Sequence, residues 1–378
     1  MTRPRVPLFS VEEENRAVAP EIEAAVRRVL ASGKFILGSE GAALERELSG
    51  FTGARHGLGV ASGTDALVLA LKALGVGPDD EVVTTPFTFG ATAGAIALCG
   101  AVPAFADIDP ATFNLAPEAV RRRIGRRTKA ILAVHLFGQP CDMDALLAIG
   151  RDAGVPVLED AAQAIGARHR GRGAGSIGEA GCFSFYPTKN LGGIGDGGFL
   201  TTNDDALYAR MKLLREHGSP RRYHYALVGT NSRLDEIQAA ALRVKLKRLP
   251  AWTEKRRGHA RAYSAALSGW EGLVPPAVPE GLEPVWHLYV VRVRDNRAVA
   301  AALDERGIGA GIYYPEPLHL QPAYGRLGHR EGDFPEAERA CREALSIPVH
   351  PFLDDSGRER VISALREILG ANPPLARP

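Results

Sequence analysis

The least ordinary chemistry in the chain is a lysine set between aromatic residues and a run of glycines. It is Lys189, within FSFYPTKNLGGIGDGG (183–198). Most lysines are solvated surface charges. Here the neighbours are apolar or Gly, so desolvation lowers the amine's proton affinity, and a neutral amine can form a Schiff base with an aldehyde. The glycines let a bulky ligand approach the backbone. A second candidate is LEDAAQA (158–164), which puts Glu159 and Asp160 where an apolar strand ends. A carboxylate there could be a general base, a metal ligand or the partner of a cationic ring; taken in isolation, an Asp capping the next helix is the favoured reading. Gln163 and the small residues Ala161, Ala162 and Ala164 suggest a backbone closely approached by something flat. A third is SGT (62–64), between a strand and a helix, where free N–H groups and hydroxyls suit an anion. Capping by Ser62 or Thr64, with Asp65 in the first turn, explains the same residues. Finally, TTPFTFGAT (84–92) sets Phe87 and Phe89 just past a strand, either as core or as a stacking face.

Each signal is weak alone, but their order is informative. An anion-binding turn, an aromatic loop, a carboxylate at a strand end and a lysine about thirty residues later are what pyridoxal phosphate needs for its phosphate, ring face, pyridine nitrogen and aldehyde. A competing motif lies in the same stretch: Gly193, Gly195 and Gly198 spell G-x-G-x-x-G. A dinucleotide site needs that motif to open a helix, whereas here it runs into GFLTTN, a strand pattern. The ten histidines form no metal-ligand cluster, and no metal site is expected.

The elements that must hold these residues alternate between residues 57 and 202. GLGVAS, EVVTTP, VPAFADI, KAILAVHL and VPVLED are strand-like, and helical patterns lie between them. That alternation predicts an α/β fold on a mainly parallel sheet covered on both faces, with ligands beyond the carboxyl ends of the strands. After about residue 233 the chain turns long, charged and helical, interrupted at Pro250. A Pro-rich linker (274–284) and a smaller α+β unit follow. Two domains are expected, 1–250 and 251–378. The 378 residues carry 46 Lys plus Arg against 44 Asp plus Glu, too small an excess to argue for nucleic acid. The basic run 245–261 therefore reads as a solvated helix face. No apolar run reaches membrane length and the first twenty residues lack a signal-peptide core, so a cytoplasmic enzyme is expected. Cys99, Cys141, Cys182 and Cys341 lie far apart and read as small buried apolar residues.

Taken together the chain resembles the DegT/DnrJ/StrS family of sugar aminotransferases. The resemblance rests on GKFILG (33–38), ASGTDALVLAL (61–71), PFTFGATA (86–93), EDAAQAIGA (159–167), the run around Lys189, GTNSRLDEIQAA (229–240), YYPEPLHLQPAY (313–324) and LSIPVHPFL (345–353). It implies pyridoxal-phosphate fold type I, with a seven-stranded sheet in the large domain. It implies that Lys189 forms the Schiff base and moves a proton, that Asp160 pairs with the pyridinium nitrogen, and that Gln163 meets the ring's phenolic oxygen. Phe89 would stack on the ring, where many relatives carry Tyr or Trp. Gly63, Thr64 and Ser184 would hold the phosphate, and Asn231 would reach the phosphate in the neighbouring subunit, which requires a homodimer with shared active sites. Tyr314 and His319 would lie on the substrate side. Dehydratase relatives carry His in place of the lysine, so Lys189 favours amino transfer. The implied reaction moves an amino group from an amino acid, L-glutamate by expectation, to a nucleotide-linked keto-sugar. YHYALVGTNSRLDEIQAA leans towards dTDP-3-keto-6-deoxyhexoses, with Arg221 or Arg222 available to a diphosphate. Amination of 4-keto sugars or keto-cyclitols, and a non-catalytic regulatory role, are the alternatives.

Overall fold

The computed structural model describes residues 5–370. Seven strands form the main sheet: β1 (His56–Val60), β2 (Glu81–Thr84), β3 (Val102–Phe105), β4 (Thr128–Val134), β5 (Val157–Asp160), β6 (Ala180–Ser184) and β7 (Gly198–Thr202). Their spatial order is β1-β7-β6-β5-β4-β2-β3. The pairs from β3 through β6 are parallel, while β7 runs antiparallel to both neighbours. The mainly parallel α/β sheet expected from sequence is thus present. β7 departs from the pattern because β6 and β7 are joined by a loop rather than by a crossover helix, and a parallel pairing needs such a crossover. That loop carries Lys189.

Alternate residues of each strand go to opposite faces. Leu58, Val82, Leu132, Leu158, Cys182 and Leu200 pack against helices α3 (Gly63–Ala73), α4 (Gly90–Leu98) and α6 (Asp205–Arg215). The other face packs against α5 (Met143–Ala153) at one end. At the other end Phe183, Phe185 and Phe199 meet α2 (Ser39–Thr52) and α7 (Glu236–Leu246). Truncating one of these leucines to alanine costs about 2–5 kcal/mol. Helix α1 (Ala19–Ser32) lies against α7.

The sequence pattern places a break at Pro250, and the chain does stop α7 at Leu246 before restarting as α8 (Leu249–Leu267). Pro250 sits in the first turn of α8, where its missing N–H leaves no bond unmade. Leu249 at the start of α8 packs with the main sheet, whereas Tyr263 and Leu267 pack in a second core. That core surrounds a three-stranded antiparallel sheet of β8 (Leu273–Val274), β9 (Tyr289–Val293) and β10 (Ala344–Ile347). Helices α9 (Asn296–Glu305) and α10 (Asp355–Leu369) complete it. The strand-like pattern beginning at Val285 becomes a strand only from Tyr289, because residues 285–288 bond instead to Phe137 and Gly138 in the main unit.

Candidate active site

A cavity of about 610 Å³ opens beyond the carboxyl ends of β1, β5 and β6. Ser62, Gly63 and Thr64 form its floor at the start of α3. The capping reading of this turn holds. The Ser62 hydroxyl accepts from the Asp65 N–H at 3.1 Å and caps the helix. The helix start nevertheless remains on the cavity wall, where its N–H groups suit an anion. A β-carbon on Gly63 would lie 2.7 Å from Ser184 Cβ, and one on Gly198 would lie 2.3 Å from the Ser62 carbonyl oxygen. Glycine at these two positions lets β6 and β7 close onto the turn.

Asp160 ends β5 and is 5% exposed. No helix follows it, so the capping alternative falls. Thr92 Oγ1 of α4 donates to its Oδ2 at 2.8 Å, and the Ala162 N–H donates to its Oδ1 at 3.2 Å. Burial pushes the Asp160 carboxyl above the ordinary range, while the Thr92 hydroxyl and the Lys189 charge pull it down. Its neighbour Glu159 takes the opposite face of the strand, as alternation requires, and no part of the cavity. Glu159 is fully buried and accepts from the N–H groups of Gly175, Ile177 and Gly178 at 2.7–2.8 Å. His135 Nε2 lies 2.8 Å from its Oε2. The Cys141 N–H points at His135 Nδ1, which makes Nε2 the donating nitrogen.

Lys189 lies on the cavity wall within the β6–β7 loop. Its N–H closes a turn onto the Tyr186 carbonyl at 2.8 Å. Burial lowers its proton affinity to about 8, against the opposing pull of Asp160. A sizeable fraction of Lys189 is then a neutral amine near neutrality.

The structure separates the two phenylalanines. Phe87 is fully buried among Phe113 and Phe137, while Phe89 is 62% exposed and lines the cavity, its ring centroid 6.3 Å from that of Tyr314. Gln163 also lines it, but its amide is largely engaged: Oε1 accepts from the Phe137 N–H at 2.7 Å and Nε2 donates to the Tyr314 hydroxyl at 3.1 Å. Ser184 and Tyr314 complete the residues that the sequence nominated and the fold brings together.

Two nominated residues lie elsewhere. His319 is 1% exposed, bonds Glu338 through Nε2 at 3.1 Å and is no part of the cavity lining, because its segment folds under Phe334. Asn231 is exposed, outside this subunit's cavity, with its side-chain oxygen accepting from Arg233 Nε at 2.9 Å. Conversely, Phe9, Thr92, Tyr186, Asp196, His287 and Tyr313 line the cavity without having been singled out. Tyr186 and Asp196, inside the lysine motif, and Thr92, at the end of the aromatic loop motif, were within reach of sequence reasoning.

The residues fit pyridoxal phosphate. Gly63, Thr64 and Ser184 can hold the phosphate, Asp160 the ring nitrogen and Phe89 one ring face, with Lys189 placed for the aldehyde. A buried carboxylate and a half-buried amine sharing one cavity at the carboxyl ends of this sheet define a pyridoxal-phosphate aminotransferase of fold type I. Comparison with known proteins agrees. Residues 17–366 match the DegT/DnrJ/EryC1/StrS aminotransferase family, and the chain belongs to it. It is 46% identical to a pleiotropic regulatory protein of Geobacillus stearothermophilus, over 96% of this chain and 98% of that one. It is 43% identical to the dTDP-3-amino-3,4,6-trideoxy-alpha-D-glucose transaminase of Streptomyces venezuelae, over 96% of each chain. The crystal structure of S. venezuelae DesV in complex with a ketimine intermediate superposes with a TM-score of 0.95, covering 97% of this chain and 98% of that one at 43% identity. Solved relatives hold pyridoxal phosphate or its amine form.

Proposed function

We propose that the enzyme transfers an amino group from L-glutamate to the 3-keto group of a dTDP-linked 6-deoxyhexose. The observation that carries the reading is the shared cavity of Lys189 and Asp160, with an anion-binding helix start at its base. Bound there, pyridoxal phosphate supplies an electron sink that takes up an amino group from one substrate and releases it to the next. Lys189 Nζ is the amine that would hold the cofactor's aldehyde and would move a proton at the substrate carbon. Its lowered proton affinity lets it do both near neutrality. Asp160, kept from water and oriented by Thr92 and Ala162, holds the proton of the ring nitrogen. Gly63, Thr64 and Ser184 hold the phosphate, Phe89 stacks on the ring and Gln163 meets its phenolic oxygen. Tyr314 faces the substrate side, and the exposed Tyr186 also lines the cavity.

The same reading includes a homodimer and a division of the chain near residue 250. Support for the dimer comes from Asn231, which faces away from its own cavity. It comes also from Tyr223, Tyr225 and Val228, exposed just before it in sequence, and from Phe35, Ile36 and Leu37, exposed on the segment that the Ile36–Asp235 bridge joins to the stretch after it. Apolar exposure on this scale marks a surface for a second copy. Support for the division is the pair of separate cores joined by α8. The cytoplasm is the proposed location, where nucleotide sugars are made.

Purified enzyme given L-glutamate and dTDP-3-keto-6-deoxyhexose should release 2-oxoglutarate and yield an aminosugar detected by mass. Turnover only with a 4-keto sugar, a UDP-linked sugar or a keto-cyclitol would reassign the acceptor. A colourless protein unchanged by added pyridoxal phosphate would favour a regulatory role, the reading that the name of the Geobacillus relative brings up.

A further inference from the structure

Asn190 directly follows Lys189 and is 4% exposed, and both ends of its amide are spent across the gap between the two sheets. Its Nδ2 donates to the Val285 carbonyl at 3.0 Å. That bond orients the amide, so Oδ1 faces His287 Nδ1 at 3.3 Å. A carbonyl oxygen only accepts, so Nδ1 carries a hydrogen, and in the neutral ring Nε2 is then the acceptor. His287 is 5% exposed and lines the same cavity as Lys189. Residues 285–288 are themselves tied to the main unit: the Val285 N–H donates to Gly138 O at 2.9 Å and the Leu288 N–H to Phe137 O at 3.2 Å. Phe137 in turn donates to Gln163. One continuous set of hydrogen bonds thus runs from the residue beside Lys189, through the segment entering β9, to Gln163 and Tyr314.

We propose that Asn190 is a positioning residue for Lys189: by clamping the lysine-bearing turn to Val285 and His287 it keeps the amine dry and fixes the orientation of the His287 ring beside it. The proposal rests on Lys189 being the cofactor's amine. The charged and titratable groups around that amine are Asp160 from β5, Tyr186 and Asp196 from its own loop, Tyr313 and Tyr314, and His287, behind which Arg256 is buried. Burial, with the charges of Lys189 and Arg256, keeps His287 far below the ordinary histidine range. Neutral His287 adds no positive charge beside Lys189. Loss of the clamp lets water reach the turn, and the lysine regains proton affinity.

Two pH titrations test this: the visible absorbance of the holoenzyme, and the labelling of Lys189 by an amine-reactive reagent in the cofactor-free chain, read by mass. Asn190→Ala and His287→Leu, which break the clamp from either side, should each raise the labelling midpoint by about one pH unit, a tenfold change in proton affinity. Both should move the pH profile of kcat while leaving KM for the amino donor within about twofold. His287→Asn keeps a donor where Nδ1 stands and should restore the wild-type midpoint. Wild-type titration in Asn190→Ala overturns the proposal, as does a His287→Asn shift as large as that of His287→Leu. Should Asn190→Ala not fold, the two His287 variants decide it alone. The underlying reading fails separately, if Lys189→Ala keeps the visible band.

Discussion

Lys189 and Lys245 are both enclosed by protein, and burial lowers the proton affinity of each. Lys245 is 1% exposed, donates to the Gly192 carbonyl at 2.8 Å and lies within the field of Glu14. It ties α7 to the loop that carries Lys189. Lys189 makes no side-chain hydrogen bond among the described residues and opens into a cavity opposite a carboxylate. Glu159 and Asp160 repeat the contrast one residue apart. The first is saturated by His135 and three backbone N–H groups; burial pushes it up, yet these donors hold its carboxyl below the ordinary range. The second accepts one bond at each oxygen and lines the cavity. Burial and a shifted proton affinity therefore do not mark a reactive group. What marks it is a buried charge whose partners are incomplete and which faces a space large enough for a ligand.

The largest expected effect is on Lys189. Lys189→Ala should abolish the visible band of the holoenzyme and lower turnover by at least about a thousand-fold. Lys245→Met should keep the band and cost about 1–3 kcal/mol in denaturant unfolding, since it leaves the Gly192 carbonyl without its donor. Comparable band loss in both variants would break the comparison.

The carboxylates should separate in the same way. Asp160→Asn should leave stability within about 1 kcal/mol but cut turnover about a hundred-fold or more, because a neutral amide cannot hold the ring-nitrogen proton. Glu159→Gln should cost about 2–4 kcal/mol, with the band retained after refolding at lower temperature.

The pH dependences sharpen the picture further. Attachment of pyridoxal phosphate to the cofactor-free chain needs the neutral amine, so its rate should rise through about pH 8 and level off above. Acid stability should report a different group. His350 is 3% exposed, and burial, with the charge of Arg256, depresses it to about 4. Its folded value lies below the unfolded one, so the folded state binds fewer protons. Stability is lost as pH falls from about 6.5 towards 4, by up to about 3 kcal/mol. His350→Gln should flatten that slope in a urea series at pH 7, 5.5 and 4.5. The smallest effect belongs to Phe89: Phe89→Ala should weaken cofactor binding about tenfold and Phe89→Tyr less than about threefold, measured by fluorescence titration.

Much of the site was legible before folding because its parts are local. The helix start at 62–64 announces itself through Ser62 and Asp65. The rejection of a dinucleotide site likewise needed only the strand pattern after Gly198, and β7 occupies that position. Phe87 and Phe89 could not be told apart, since alternating positions after a strand do not say which side will be covered. His319 had chemistry enough for a substrate role, but Glu338, nineteen residues on, holds it in the interior.

The amino-acid order alone determined which groups exist and how each short stretch folds: the caps, the strand periodicity, the helix restart at Pro250 and a lysine among small and apolar neighbours. Only the tertiary structure decided which of two adjacent carboxylates sees the cavity, which of two buried lysines is free, and that His287, Thr92 and Tyr314 stand around Asp160 and Lys189. The reason is range. Propensity and capping act over a turn or two of chain, whereas desolvation and hydrogen-bond saturation depend on groups a hundred residues apart that meet only when the two cores close on each other.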